Sequence, residues 1–138
     1  MKVGFTGTQV GMSKYQIDAV ADYLAELTKR GEGDEAHHGK CIGADVQFHN
    51  LAHQLGYFIV GYPCNIYSKQ SQVIVCDMER EEKPPLERNK DIVATCDILL
   101  PTPKQYHEIT RSGTWSTIRF ARRIGRDHMI ILPDGTLL

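Results

Sequence analysis

Arg111, Ser112, Gly113 and Thr114 stand between an apolar run, Ile98-Leu99-Leu100, and a helix-patterned segment that ends near Gly125. Ser112 is a good N-cap, Gly113 lets a ligand approach the backbone, and Thr114 adds a hydroxyl beside the free N–H groups of a first helical turn. Those N–H groups and the helix dipole favour negative charge, and Arg111 supplies a donor fork for two oxygens. The chemistry this spacing offers is therefore the holding of a phosphate. The plainer reading of the same residues is a capped helix beside a solvated arginine.

Other residues with chemical capacity are spread along the chain. Gly7-Thr8 follows an apolar run as a turn that permits close backbone approach, and Gly43-Ala44-Asp45 closes a second glycine-bearing turn that starts at Gly39. Asp45 is placed to cap a helix. Arg88 and Asn89 are candidates for contact with a phosphate or a base, with an internal helix cap as the alternative for Asn89. His49 and His53 have the i, i+4 spacing of a metal pair, but Asn50 stands where a zinc protease motif needs glutamate, so the sequence is read as having no metal site and no cofactor. Of His37 and His38, one is expected near the ligand and the other under a helix, because successive strand residues face opposite ways. Trp115 is read as core, with base stacking as the alternative.

These groups need a frame, and the apolar periodicity supplies one. Val3 to Thr6 reads as a buried strand. Ser13 and Gln16 form a capping box for a helix carrying Ile17, Val20, Ala21, Leu24 and Leu27, which stops at Gly31. Glu35 to Gly39 follows as a strand by position, Asp45 to Leu55 as a helix, and Tyr57 to Tyr62 as a strand stopped by Pro63. The long connection 64–83 is read as a lid candidate, with Ser71 to Cys76 as a short edge strand and Glu79 to Lys83 as a solvated charge run. Leu86 to Val93 reads as a helix, Asp97 to Leu100 as a strand closed by Pro101, Trp115 to Ile124 as a helix, and Met129 to Leu132 as the last strand. Short apolar strands alternating with amphipathic helices specify an α/β fold, a Rossmann-like three-layer sandwich with a mainly parallel sheet of about five strands. Its ligand is expected outside the carboxyl ends of the strands, where the glycine turns and the Arg111 stretch gather on one rim.

The totals narrow the partners. The 138 residues suit a single domain, 1–138, with a core that needs no disulfide. Sixteen Lys and Arg against seventeen Asp and Glu, with no basic block, argue against duplex nucleic acid. No apolar span is long enough for a bilayer, and Met1-Lys2 leads straight into Val3-Gly4-Phe5, so a soluble, unprocessed chain is expected. Cys41, Cys64, Cys76 and Cys96 are scattered without a C-x-x-C pair, which fits a reducing, cytoplasmic setting.

Taken together, Gly4 to Thr8, His37-His38-Gly39-x-Cys41-x-Gly43-Ala44-Asp45, Pro84 to Asn89 and Arg111 to Trp115 resemble the SLOG superfamily. That Rossmann-like group includes the lonely-guy phosphoribohydrolases and small phage or bacterial nucleotide-binding proteins. The resemblance implies a nucleotide or nucleotide-derived ligand held by Gly7 and Thr8, by Gly43, Ala44 and Asp45, and by Gly113 and Thr114, in a homodimer. Two positions depart from it. Thr117 occupies the place of the catalytic glutamate, and Gln9 that of a basic residue. A sensor or sequestering protein is thus the first expectation. The alternative is N-glycosidic bond hydrolysis or transfer by other carboxylates, Asp45 and Glu87, with Asp91 one helical turn from Glu87.

Overall fold

The computed structural model describes residues 1–138. Six strands form one sheet, all parallel, in the order β4-β3-β2-β1-β5-β6. They are β1 (Lys2–Gly7), β2 (Glu35–His38), β3 (Phe58–Gly61), β4 (Met78–Glu79), β5 (Ile98–Thr102) and β6 (Asp127–His128). Four helices connect them: α1 (Lys14–Lys29), α2 (Ala44–Gln54), α3 (Pro85–Thr95) and α4 (Gly113–Ile124). The sheet has one strand more than the sequence suggests.

The two faces of β1 show how the layers are filled. Val3 and Phe5 point into a core with Val20 and Leu24 of α1 and Phe48 of α2, where the Phe5 and Phe48 rings stack at 4.4 Å. Gly4 points the other way and is packed so closely by Cys96 and Ile92 of α3 that a Cβ would lie 2.7 Å from the Cys96 sulfur. Helix α4 completes that second face, its Trp115 and Ile118 buried with Ile130. From β1 the chain winds outward through β2 and β3, then returns through α3 to β5 on β1's other side. The two directions part at β1 and β5, which makes their carboxyl ends the topological switch point.

Several local expectations change on the structure. Strand β5 does not stop at Pro101 but runs through it to Thr102. The Pro101 carbonyl accepts the Ile131 N–H at 2.9 Å, so its missing N–H also falls on the edge side, away from β1. Met129 to Leu132 is not a regular strand: β6 ends at His128. Beyond it, Ile130 and Leu138 exchange backbone hydrogen bonds, so the chain pairs with its own tail. Ser71 to Cys76 forms no edge strand either; Asp77 takes the Ile59 N–H with its carboxylate at 2.7 Å and starts the edge ladder two residues before Glu79.

Candidate functional site

A cavity of about 650 Å³ opens at the switch point, walled by the turn after β1, the turn after β2 and the first turns of α3 and α4. Its most distinctive wall is the start of α4. Ser112 is extended (φ −139°, ψ 128°) and its Oγ accepts the Trp115 N–H at 3.2 Å, while its carbonyl accepts the Ser116 N–H at 2.9 Å. The N–H groups of Gly113 and Thr114 are left without a partner in the protein. Nothing lies within 4 Å of where a Gly113 Cβ would project. This glycine faces open space.

The other glycines of the site do a different job. A Cβ on Gly7 would stand 2.5 Å from the Ala44 side chain, and one on Gly39 would stand 2.4 Å from the Arg88 guanidinium. Gly43, at φ +85°, lies against the backbone of Gln9, and the next N–H, that of Ala44, donates to the Thr8 carbonyl at 2.9 Å. Gly43 and Ala44 therefore do not line the cavity. They lock the first turn in place from behind.

Asp45 sits in the cavity wall but is not a helix cap, because the left-handed backbone of Gly43 starts α2 one residue earlier. Its Oδ2 reaches back to accept the Cys41 N–H at 3.1 Å. Burial pushes its carboxyl above the usual carboxylate range, opposed by that hydrogen bond and by the Arg88 charge. Burial together with the Asp45 charge pushes the Cys41 thiol up to about 12. Cys41 is consequently a protonated thiol at neutral pH and no nucleophile.

Arg88 lines the cavity while 5% exposed, its Nη1 donating to the carbonyls of Gly39 and, at 2.9 Å, Tyr62. It clamps the ends of β2 and β3 together. Its Nε is buried and has no partner, the one such side-chain atom in the molecule.

The sequence reading is thus partly redistributed. Gly7, Thr8, Asp45, Arg88, Ser112 and Gly113 share one cavity with Thr114. Arg111 is exposed and outside the wall, as is Glu87, so the two proposed carboxylates do not face one another and Asp45 is the cavity's only acidic group. Lys69 is the cation sequence reasoning missed. It lies in the 64–83 connection, far from any glycine motif. Backbone hydrogen bonds from Ile42 N–H to Lys69 (3.0 Å) and from Ser71 N–H to Lys40 (2.8 Å) stitch that connection to the turn after β2, placing Lys69 at the cavity.

Neither of the paired histidines reaches the cavity. His37 is held between the Tyr62 hydroxyl (2.8 Å) and Glu35 (2.9 Å). His38, His49 and Cys76 bring three donor atoms within 4.8 Å of one another, with His53 exposed alongside. Hydrogen bonding gives that cluster another use. The Lys40 N–H donates to His38 Nδ1 at 2.9 Å, so the His38 proton is on Nε2, from which it donates to His49 Nδ1 at 3.0 Å. A metal on His38 Nε2 would have to displace that proton from a ring whose other nitrogen is already an acceptor.

The buried histidines make stability depend on pH. Desolvation by burial lowers His38 to about 3, and burial also lowers His37 and His49. Because these folded-state values lie below the unfolded one, acid protonates the unfolded chain first and stability falls as pH drops from about 6.5 toward 3. His38 alone should remove about 2 kcal/mol between pH 6.5 and pH 5. Urea unfolding at pH 7 and pH 5 checks this; equal midpoints would contradict it. Asp45, raised rather than lowered, acts with the opposite sign.

No model of a protein family matches this sequence, and no curated protein sequence matches it. Among solved structures the fold is similar to the molybdenum cofactor binding protein of the phototrophic bacterium Rippkaea orientalis. The TM-score is 0.72 at 13% identity, covering 95% of this chain and 76% of that one. It is also similar to TM1055, a structural-genomics target, with a TM-score of 0.64 at 16% identity over 92% of this chain and 71% of that one. At such identities the likeness shows the Rossmann-like fold alone.

Proposed function

We propose that this chain is a single nucleotide-binding domain that senses or sequesters a nucleotide or nucleotide-derived molecule. The observation that carries the reading is the start of α4, where two N–H groups without protein partners open on a cavity at the sheet's switch point. A phosphoryl group fits there, with the Thr114 hydroxyl in the same wall and Lys69 supplying the charge that Gln9 lacks, while the Thr8 hydroxyl is spent on the Gly11 carbonyl at 3.2 Å. Asp45 Oδ1 suits a sugar hydroxyl. The orphaned Nε of Arg88 is a further polar group without a protein partner in the same wall. The neighbour in Rippkaea orientalis is a binding protein for a cofactor, which agrees with a small-molecule ligand for this fold.

The enzymatic alternative has less support. Glycoside chemistry in its common form uses two carboxyl groups flanking one bond, and here Glu87 is turned to solvent. Thr117, in place of a glutamate, spends its hydroxyl on the Gly113 carbonyl at 2.8 Å.

A thermal-shift screen against nucleoside monophosphates, cyclic nucleotides, NAD and ADP-ribose tests the reading, with each mixture chromatographed for released base. A ligand at about a hundred times its Kd should stabilise the fold by about 2.7 kcal/mol. A shift without base release is expected. No shift with any compound would contradict nucleotide binding, and a released base would make the protein an N-glycosidic enzyme.

A further inference from the structure

We propose that the groove between α3 and α4 is a second anionic subsite, and that the cavity's ligand carries a second phosphoryl group one nucleoside unit beyond the first. This rests on the nucleotide reading above and names the ligand class within it. The groove measures about 150 Å³ and shares Leu86 and Asn89 with the main cavity, so the two spaces meet along the same stretch of α3. On α4 it is lined by Ser116, Thr117, Phe120 and Arg123. With Gly113 these fall on one face of the helix, and the groove descends directly from the anion-holding start of α4.

The charge in the groove has no internal partner. Lys90, from α3, and Arg123, from α4, both line it, and neither is in any ion pair of the molecule. Their neighbours are already engaged: Asp91 pairs with Lys83 at 2.7 Å and Arg122 with Glu108 at 3.1 Å. Glu87, one turn before Lys90, is exposed and makes no pair with it. The Lys90 ammonium lies 5.6 Å from the centre of the Phe120 ring, an aromatic platform that keeps it beside the groove. An arginine near a helix C-terminus also complements the dipole, which accounts for Arg123 being basic but not for Lys90 lining the same groove.

Spacing selects the ligand. A rise of about 1.5 Å per residue puts Phe120 about 10 Å along the axis from Gly113 and Arg123 about 15 Å from it. The second phosphate of a nucleoside diphosphate stays at the helix start. A phosphoryl group beyond an intervening nucleoside lies part of the way along that axis, where the Lys90 and Arg123 side chains meet it because helical side chains lean toward the N-terminal ends of their helices. That nucleoside covers Leu86, which is 57% exposed on the rim shared by the two spaces.

Calorimetry on the full chain tests this with three probes for each of the four bases: the 5′-monophosphate, the 5′-diphosphate and the 5′-phosphorylated dinucleotide. For the base that binds, the dinucleotide is expected to bind at least tenfold more tightly than either mononucleotide. Lys90→Ala combined with Arg123→Ala should abolish that advantage while leaving the monophosphate Kd unchanged. Equal affinity for monophosphate and dinucleotide, or an advantage that survives the double substitution, overturns the subsite and leaves the nucleotide reading standing. Failure of every monophosphate and dinucleotide to bind overturns the subsite, and the nucleotide reading falls with it only if cyclic nucleotides, NAD and ADP-ribose also give no thermal shift.

Discussion

Gly43→Ala is expected to destabilise the protein by about 3 to 5 kcal/mol, the combined cost of a backbone conformation that L residues rarely adopt and of a clash with main chain. Gly43 has φ +85° and ψ −122°, and a Cβ there would lie 2.2 Å from the Gln9 carbonyl oxygen and 2.7 Å from that of Thr8. Neither obstacle is the end of a flexible side chain. Relief would require moving the turn after β1, which the Ala44 N–H holds through the Thr8 carbonyl at 2.9 Å. Gly31 is the control: at φ +70° with nothing within 4 Å of its Cβ position, its replacement by alanine should cost only about 1 kcal/mol. A melting temperature lower by roughly 10 °C or more is expected for the Gly43 variant. An unchanged value would show that the two turns are not locked as described.

The layering and the start of α4 were legible because each follows from local chemistry. Ser13 and Gln16 form both hydrogen bonds of their capping box, at 3.1 and 3.0 Å, and Ser112 caps α4 as its position suggests. Elsewhere the chain's long-range pairing decided. Ser71 to Cys76 has the β-branched character of a strand, yet Val73 and Val75 are more than 80% exposed because Asp77 and Met78 reach the edge of β3 first. Pro101 looks like a terminator, but it sits where its lost donor faces an edge strand that is already leaving the sheet.

Site residues divide the same way. Thr8, Ser112, Gly113 and Thr114 could be read from their own motifs. Gly43 could not be assigned a role that way, because a glycine that admits a ligand and one that admits a neighbouring carbonyl look alike in sequence. Arg88, singled out in sequence as a candidate contact, lines the cavity, but its clamp on the Gly39 and Tyr62 carbonyls was not legible, because these come from turns 49 and 26 residues away. Lys69 and Cys76 gave no local signal at all. Each acquires its surroundings from the connection 64–83, whose path is set by backbone bonds to the turn after β2 and to the edge of β3.

Gly113→Pro isolates the central claim. Gly113 is the first residue of α4, a position that suits proline because its N–H has no helical partner and its φ is already helical. Ser112 before it is extended, as a residue preceding proline must be. The substitution therefore removes one N–H from the cavity, sets a ring in the open space beside the glycine, and takes away nothing the fold uses. A hydrogen bond to a charged group contributes about 1.5 to 3 kcal/mol, so affinity for a phosphorylated ligand should fall by roughly 10- to 100-fold. The measurement is the Kd of wild type and Gly113→Pro for the nucleotide that gives the largest thermal shift, with the unliganded melting temperature of each recorded alongside. A melting temperature no lower than that of wild type together with the weakened Kd is expected, since proline at a compatible position also restricts the unfolded chain; a melting temperature no lower than wild type with an unchanged Kd would mean that the ligand's phosphate does not rest on the start of α4.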